Sequence, residues 1–390
     1  MPLETTYNPD RLIVDAAVAE TPLARRILER WQGPQPSVVR DVEAVVEQAR
    51  YEKDALTRGK RTLLITRRKG PFLSLCQGMA AHHHACCAYR VLNVFENCPM
   101  DCSYCILQHY LNNPLLVLYA NFNNLFDEIT HAVGQVAGLS YGQRLLRIGT
   151  GELGDSLAFD HLTDLSLDLM RVVEPFADVV LELKTKTVEI ENLLSVGAPS
   201  NVVVSWSLNA PRHIQREEIG AASLEERLEA ARRCQEHGYR LGFHFDPLIH
   251  APNWEEDYRA VVEALFDHID PARIVWISLG ALRFPPAMKR TIEERFPQST
   301  ITTGELVRSW DGKLRYFRPI RAAMYRKMAE WIAARAPDAV MYLCMESCEI
   351  WRDVFGCAPR GVGDVAERLN AGCRKTELAG GAVRAADRSA

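Results

Sequence analysis

Three cysteines are set close together in the run NCPMDCSYC, which places Cys98, Cys102 and Cys105 just after an apolar stretch at 91–95. Thiolates bind soft metals, and C-x3-C-x2-C spacing on a loop can bring three sulfurs to one cluster. A [4Fe-4S] cube held by three sulfurs keeps one iron without a protein ligand, and that iron can chelate a small molecule through amino and carboxylate groups. Zinc is the alternative metal; a closed zinc site would take a fourth ligand from His82, His83, His84, Cys86 or Cys87. Three buried free thiols are the plainest alternative, since cysteine packs well as a small hydrophobe.

The elements that must position this loop are legible as alternating periods. Short apolar runs at 91–95, 115–119, 145–148, 179–183, 202–208, 241–245 and 274–279 are separated by helix-like segments, among them 125–137, 162–173, 224–237 and 254–266. Alternation of this kind predicts repeated βα units with parallel strands covered by helices. The fold expected is therefore α/β, an open or closed (β/α) barrel, with chemistry at the carboxyl ends of the strands. Residues 1–88 read as a helical and basic extension, 89–300 as the barrel, 301–379 as a hairpin and helical region, and 380–390 as a disordered tail.

Composition narrows the class. With 390 residues, 47% hydrophobic and 25% charged, the chain has an ordinary globular makeup. A net charge of −4 excludes a uniformly basic nucleic-acid wrapper but allows a local basic patch. No long uncharged apolar run predicts a membrane span or signal peptide. Eleven cysteines, two of them adjacent at 86–87, suit a reducing, cytoplasmic compartment rather than a disulfide framework.

Other strand ends carry candidate groups. Gly151 would let backbone approach a ligand, and Glu152 would bond an ammonium. Lys184 and Lys186 lie two apart at a strand end, where buried ammonium groups need an anion. His244 and Asp246 share that spacing and could form a hydrogen-bonded pair that positions substrate or moves a proton. Asp160 reads as a helix N-cap.

The cysteine triplet resembles the cluster motif of the radical S-adenosylmethionine (SAM) superfamily, and CPMDCSYCILQ with the later DHLT and KTK segments resembles the spore photoproduct lyase family. The resemblance runs from about Cys76 to Phe355. It implies a partial (β/α)6-type barrel holding a [4Fe-4S] cluster and SAM, reductive SAM cleavage to a 5'-deoxyadenosyl radical, and lyase-type repair of a thymine photoproduct in DNA. It implies a reductant such as flavodoxin or ferredoxin, and the protein is expected to be a cytoplasmic monomer without membrane contact. Gly149–Glu152 looks like the superfamily's Gly-Gly-Glu segment. Lys186, Ser207, Asn209 and Tyr104 fall where SAM contacts are implied, with a satisfied core hydroxyl the alternative for Ser207.

One position departs from the family. Its hydrogen-donating cysteine, just ahead of the DHLT-like segment, corresponds to Glu152, and a carboxyl O–H bond is too strong to serve. Cys344 and Cys348, or a relay through Tyr104, are the candidate substitutes; two buried core cysteines at helical i,i+4 spacing are the plain alternative. A radical SAM enzyme with a different, non-DNA substrate, and a zinc or nucleic-acid-binding module without catalysis, remain as alternative readings. For DNA, Lys60, Arg61, Arg67 and Arg68 form one candidate patch. Arg315, Tyr316 and Arg318 form another, beside an Asp311-Gly312 turn expected to make a ribbon of 307–310 and 314–317.

Overall fold

The computed structural model describes residues 6–76 and 85–387. Its largest sheet has eight strands in the spatial order Met341–Leu343, Ile274–Ala281, Arg240–Leu248, Val202–Ser207, Val179–Thr185, Leu146–Gly149, Arg90–Leu92 and Leu73–Leu75. All neighbours pair in parallel except Leu73–Leu75, which closes one edge antiparallel. Val202–Ser207 and Ile274–Ala281 are buried along their whole length, because helices cover one face of the curled sheet and inward side chains fill the other. Leu224–Glu236 starts at a capping box between Ser223 and Glu226, which satisfies backbone donors at its first turn.

The run at 115–119 does not enter this barrel. Leu116–Tyr119 pairs with Thr62–Thr66 in a second, five-stranded sheet. An apolar run signals a buried strand but not which sheet buries it.

That second sheet corrects the expectation of a helical extension at 1–88. Strand β1 (Arg11–Asp15) is followed by helix α1 (Pro22–Arg30), strand β2 (Ser37–Val39), helix α2 (Val42–Arg50) and, after a short helix, strand β3 (Thr62–Thr66). The order β2-β1-β3 is parallel, and Leu116–Tyr119 and Phe95–Glu96 complete the sheet. Helix α1 buries Leu23, Ala24 and Ile27 in the main core, whereas α2 covers the opposite face over Ile13, Leu64 and Val117. The candidate patch of Lys60, Arg61, Arg67 and Arg68 thus flanks a fully buried central strand, TLLIT.

At the other end, Leu306–Arg308 and Leu314–Tyr316 form the expected hairpin, joined by Arg283–Phe284 as a third strand. Gly312 turns it with a φ of +79°, a conformation glycine adopts without Cβ strain. The tail expected to be disordered from 380 is instead helical as far as Asp387, in Val362–Asp387.

Gly59 packs against the Pro114 carbonyl, so a methyl group there would overlap backbone. Gly59→Ala is expected to lower stability by about 1–3 kcal/mol, read as a fall in the denaturant midpoint at unchanged slope.

Candidate active site

The loop that leaves the first parallel barrel strand gathers Cys98, Cys102 and Cys105 into one small cluster with Met100, Tyr104 and Ala221. Asn97 turns the backbone at a φ of +71°. Its amide donates to the Pro114 carbonyl at 2.8 Å, and its oxygen accepts from the Cys98 N–H at 2.9 Å. Asp101–Cys102 pairs antiparallel with Glu218–Ile219. The Lys60 ammonium donates to the Met100 carbonyl and lies 3.0 Å from Asp101, whose other side is held by Arg295 at 2.7 Å.

Among the described residues, no three His, Cys, Asp or Glu side chains converge closely enough to hold a single metal ion. A cubane asks for less, because each sulfur binds a different iron. Burial raises the Cys98 thiol well above its ordinary range and the Cys102 thiol to about 11, opposed by Lys60 at the first and chiefly by Lys186 at the second. Thiolates in this place need strong positive charge beside them, which bound iron would provide. The donor set therefore fits a [4Fe-4S] cluster. A zinc site closed by Cys86 or Cys87 finds no support: Cys87 interacts with Cys86, Arg147, Glu182, Tyr342 and Cys344, and Cys86 with Cys87 and Cys76, none of them in the triplet. His82, His83 and His84 lie outside the described residues.

Beside the triplet stands a cluster of charges, with Glu218 and Arg227 buried and Lys186 half-buried. Lys186 Nζ is 2.5 Å from the Tyr104 hydroxyl, 3.0 Å from Glu218 Oε1 and 3.9 Å from Cys102 Sγ. Glu218 also accepts from the Tyr104 hydroxyl and binds Arg227 at 2.6 Å. Burial works against the Lys186 charge, but Cys102 and Glu218 outweigh it and raise its pKa. Asn209 lies 3.4 Å from Glu218, and its oxygen accepts from the Tyr258 hydroxyl at 2.7 Å. Ser207 is buried, and its carbonyl accepts from Arg227 at 2.8 Å. Sequence reading found Lys186, Tyr104, Ser207 and Asn209 but missed Glu218 and Arg227. Glu218 begins a strand only two residues long, and Arg227 faces inward from an otherwise charged helix; the one available cue was Arg227's place in that helix's apolar register.

Across the barrel mouth, the expected His244–Asp246 pair does not form. His244 Nε2 bonds Glu182 at 2.7 Å, whereas Asp246 is bound by both terminal nitrogens of Arg283 at 2.8 and 2.9 Å. The two lie on one side of their strand, but each meets a charge from an element that is not its strand's neighbour in the sheet, Glu182 two strands away and Arg283 in the three-stranded sheet. Arg283 also lies 3.4 Å from Cys344 Sγ. Burial, with Asp246, holds the Cys344 thiol protonated despite Arg283. Cys348 points elsewhere, its sulfur 3.5 Å from the Pro359 carbonyl. The helical i,i+4 reading of these two fails because Cys344 follows strand Met341–Leu343 and Cys348 opens helix Cys348–Phe355.

Glu152 stands exposed at the mouth, 4.0 Å from Lys184 Nζ. Gly151 leaves no room for a Cβ because the Lys184 side chain lies across it at 2.6 Å. Asp160 is buried and caps the next helix rather than its own, accepting from the Ser166 N–H at 2.8 Å.

Most of the expected DNA contacts are engaged inside the protein. Lys60 is buried under the triplet. Arg315 is buried between Asp311 and Glu346 and donates to the Met345 carbonyl at 3.1 Å. Tyr316 is buried, its hydroxyl accepting from the His250 N–H at 3.1 Å. Arg61 pairs with Asp10 at 2.6 Å and Arg318 with Asp353 at 2.7 Å. Arg68 lies over the Tyr119 ring and 3.4 Å from Glu96, and Arg67 is exposed. A basic run looks alike in sequence whether it meets solvent or an acidic partner supplied by the fold.

A partial parallel barrel that presents three cysteines on its first loop, with a half-buried lysine just past the end of another barrel strand, has the architecture of the radical SAM enzymes. A family model described as spore photoproduct lyase matches residues 7–342. The chain is 27% identical over 254 residues to spore photoproduct lyase of Bacillus subtilis (strain 168), and 25% identical over 251 residues to that of Geobacillus sp. (strain Y412MC61). Each alignment covers 62% of this chain and 72% of the relative. A solved cysteine-to-alanine variant of spore photoproduct lyase with dinucleoside spore photoproduct superposes with a TM-score of 0.74 at 21% identity, over 87% of this chain and 99% of the other. Another variant, with bound AdoMet and dinucleoside spore photoproduct, gives 0.71 at 20% identity, over 87% and 99%. The chain belongs to the spore photoproduct lyase family.

His244 and Lys184 overcome burial to hold the Glu182 carboxyl near 2 against an ordinary 4.5. A depressed carboxylate stabilises the fold above its unfolded value and loses that contribution as the pH falls through its folded value. Glu182→Gln is therefore expected to flatten the decline in stability between pH 4.5 and about 2, measured by urea unfolding at stepped pH.

Proposed function

We propose that this protein repairs a pyrimidine photoproduct in DNA, of the spore photoproduct type, as a radical SAM lyase. The observation that carries the reading is the meeting of Cys98, Cys102 and Cys105 with Lys186 and Tyr104 at the carboxyl end of the barrel. Support for the substrate comes from family membership and from the dinucleoside spore photoproduct bound by related enzymes. When bound, the cluster and SAM supply a 5'-deoxyadenosyl radical that takes hydrogen from the substrate.

The chain's own groups do the holding and shielding. Cys98, Cys102 and Cys105 hold the cluster. Lys186, relayed by Glu218, offers its ammonium to the SAM carboxylate, and the Gly149–Glu152 segment faces the SAM ammonium through Glu152. Ser207 and Asn209 line the same side. Cys344 returns a hydrogen atom to a product radical in this reading, which is supported by burial that raises its thiol pKa, by Arg283 at 3.4 Å and by its place after a barrel strand. Its S–H bond would give a hydrogen atom to carbon and leave the unpaired electron on sulfur as a thiyl radical, an exchange that the stronger O–H bond of a carboxyl group at Glu152 does not favour. Cys348, turned toward Pro359, takes no part. The working state is a cytoplasmic monomer served by a flavodoxin- or ferredoxin-type reductant. Its barrel spans 89–300 with an added seventh parallel strand from 301–379, and among the described residues no helix is long and apolar enough to cross a membrane.

A different substrate is the second reading, favoured by Glu152 standing in the donor's place. Deuterium transfer separates the two, because the true substrate labels 5'-deoxyadenosine.

Single Ala substitutions of Cys98, Cys102 or Cys105 are expected to remove iron and SAM cleavage together while circular dichroism stays native. Lys186→Ala should weaken SAM binding by about tenfold or more with iron content unchanged, read by equilibrium dialysis. Cys344→Ala should leave SAM cleavage intact and divert repair of dinucleoside spore photoproduct to side products, whereas Cys348→Ala should repair normally. SAM cleavage without turnover of that substrate by the unmodified protein would overturn the assignment.

A further inference from the structure

The second sheet has a carboxyl edge of its own. The chain passes from β1 outward to β2, then crosses back to β3 on the other side of β1. Helices α1 and α2 consequently lie on opposite faces. In open parallel sheets such a reversal opens a crevice beyond the strand ends, and ligands bind there. Here the crevice encloses about 620 Å³, within the range of small-molecule sites. Its floor is Asp15, the last residue of β1, and Thr66, the last of β3, joined by a 2.9 Å hydrogen bond. The Cys98–Cys105 loop and the residues around Lys186 do not line it.

The charges on its walls are unevenly matched. Lys69 is paired with Glu43, and Arg50 with Glu47 at 3.1 Å. Arg40 and Arg67 also line the crevice, are exposed, and make no hydrogen bond or ion pair among the described residues. Arg67 feels Glu43, which Lys69 already binds. Two free guanidinium groups at one mouth suit bidentate binding of a phosphate. Leu64, Val46 and Val117 supply an apolar wall beneath, and Asp15 retains acceptor capacity for a sugar hydroxyl.

We propose that this crevice is a binding site for a nucleoside phosphate, separate from the barrel mouth. Arg40 and Arg67 take the phosphate, the apolar wall takes the base, and Asp15 faces the sugar. A DNA backbone fits less well, because Glu43 and Glu47 stand at the same opening and would repel a long polyanion.

The test is calorimetric titration of ADP into the full chain, with SAM in excess so that the barrel mouth is filled. ADP is expected to bind with a dissociation constant below about 1 mM, and Arg40→Ala and Arg67→Ala are each expected to weaken it by about tenfold. Arg290→Ala, which removes a surface ion pair to Glu294 outside the crevice lining, should leave ADP affinity unchanged. Both crevice arginines are exposed, so circular dichroism should report a native fold. No ADP binding up to about 5 mM, or binding insensitive to both arginines, would overturn the site. Loss of thymidine oligonucleotide binding in both variants, with ADP silent throughout, would instead assign the surface to DNA.

Discussion

Glu218 sits between Lys186 and Arg227 with 1% of its side chain exposed, and much of the site depends on that contact. A carboxylate so deeply buried is costly unless its charge and its lone pairs are matched. Here both cations, the Tyr104 hydroxyl and the Asn209 amide supply the match, and its pKa lies well below the ordinary carboxylate range. The backbone of the same residue pairs with Cys102. One position thus ties the cysteine loop to the barrel wall and sets the Lys186 ammonium beside a thiol. Removing either cation would leave the other charges uncompensated in a poorly solvated place.

The second sheet is mechanically part of this site. Helix α1 shares the main core with the barrel, and Arg30 and Arg26 reach across to Asp164 and Asp168. Through this attachment the chain carries Lys60 under the triplet, where it binds Met100 and Asp101. The Leu116–Tyr119 strand, which follows the cysteine loop in sequence, adds to this sheet rather than to the barrel. The cysteine loop is therefore spanned by two sheets and held at both ends, which limits the freedom of three thiols that must meet one cluster.

Particular residues show how far the sequence could be read. The triplet was legible because ligand spacing within one loop is local, and the βα alternation because periodicity within one element is local. The hairpin at Asp311-Gly312 was legible for the same reason, since a glycine at positive φ is a property of the turn itself. Local spacing puts His244 and Asp246 on one side of a strand but does not reveal their partners, as Glu182 and Arg283 come from other strands. Lys60, Arg315 and Tyr316 look like surface groups in one dimension, yet each is buried. No pattern in their neighbourhood marks Asp101, Glu346 or the His250 backbone as what they would meet.

The sequence by itself determined the cysteine spacing that a cluster asks for and the parallel-barrel class, because each rests on spacings of a few residues. Tertiary structure alone decided which sheet took the 115–119 strand, which carboxylate each cation found, and that a second crevice opens beyond β1 and β3. Those outcomes depend on contacts between residues far apart in the chain, where geometry and competing burial choose among partners that look equivalent in one dimension.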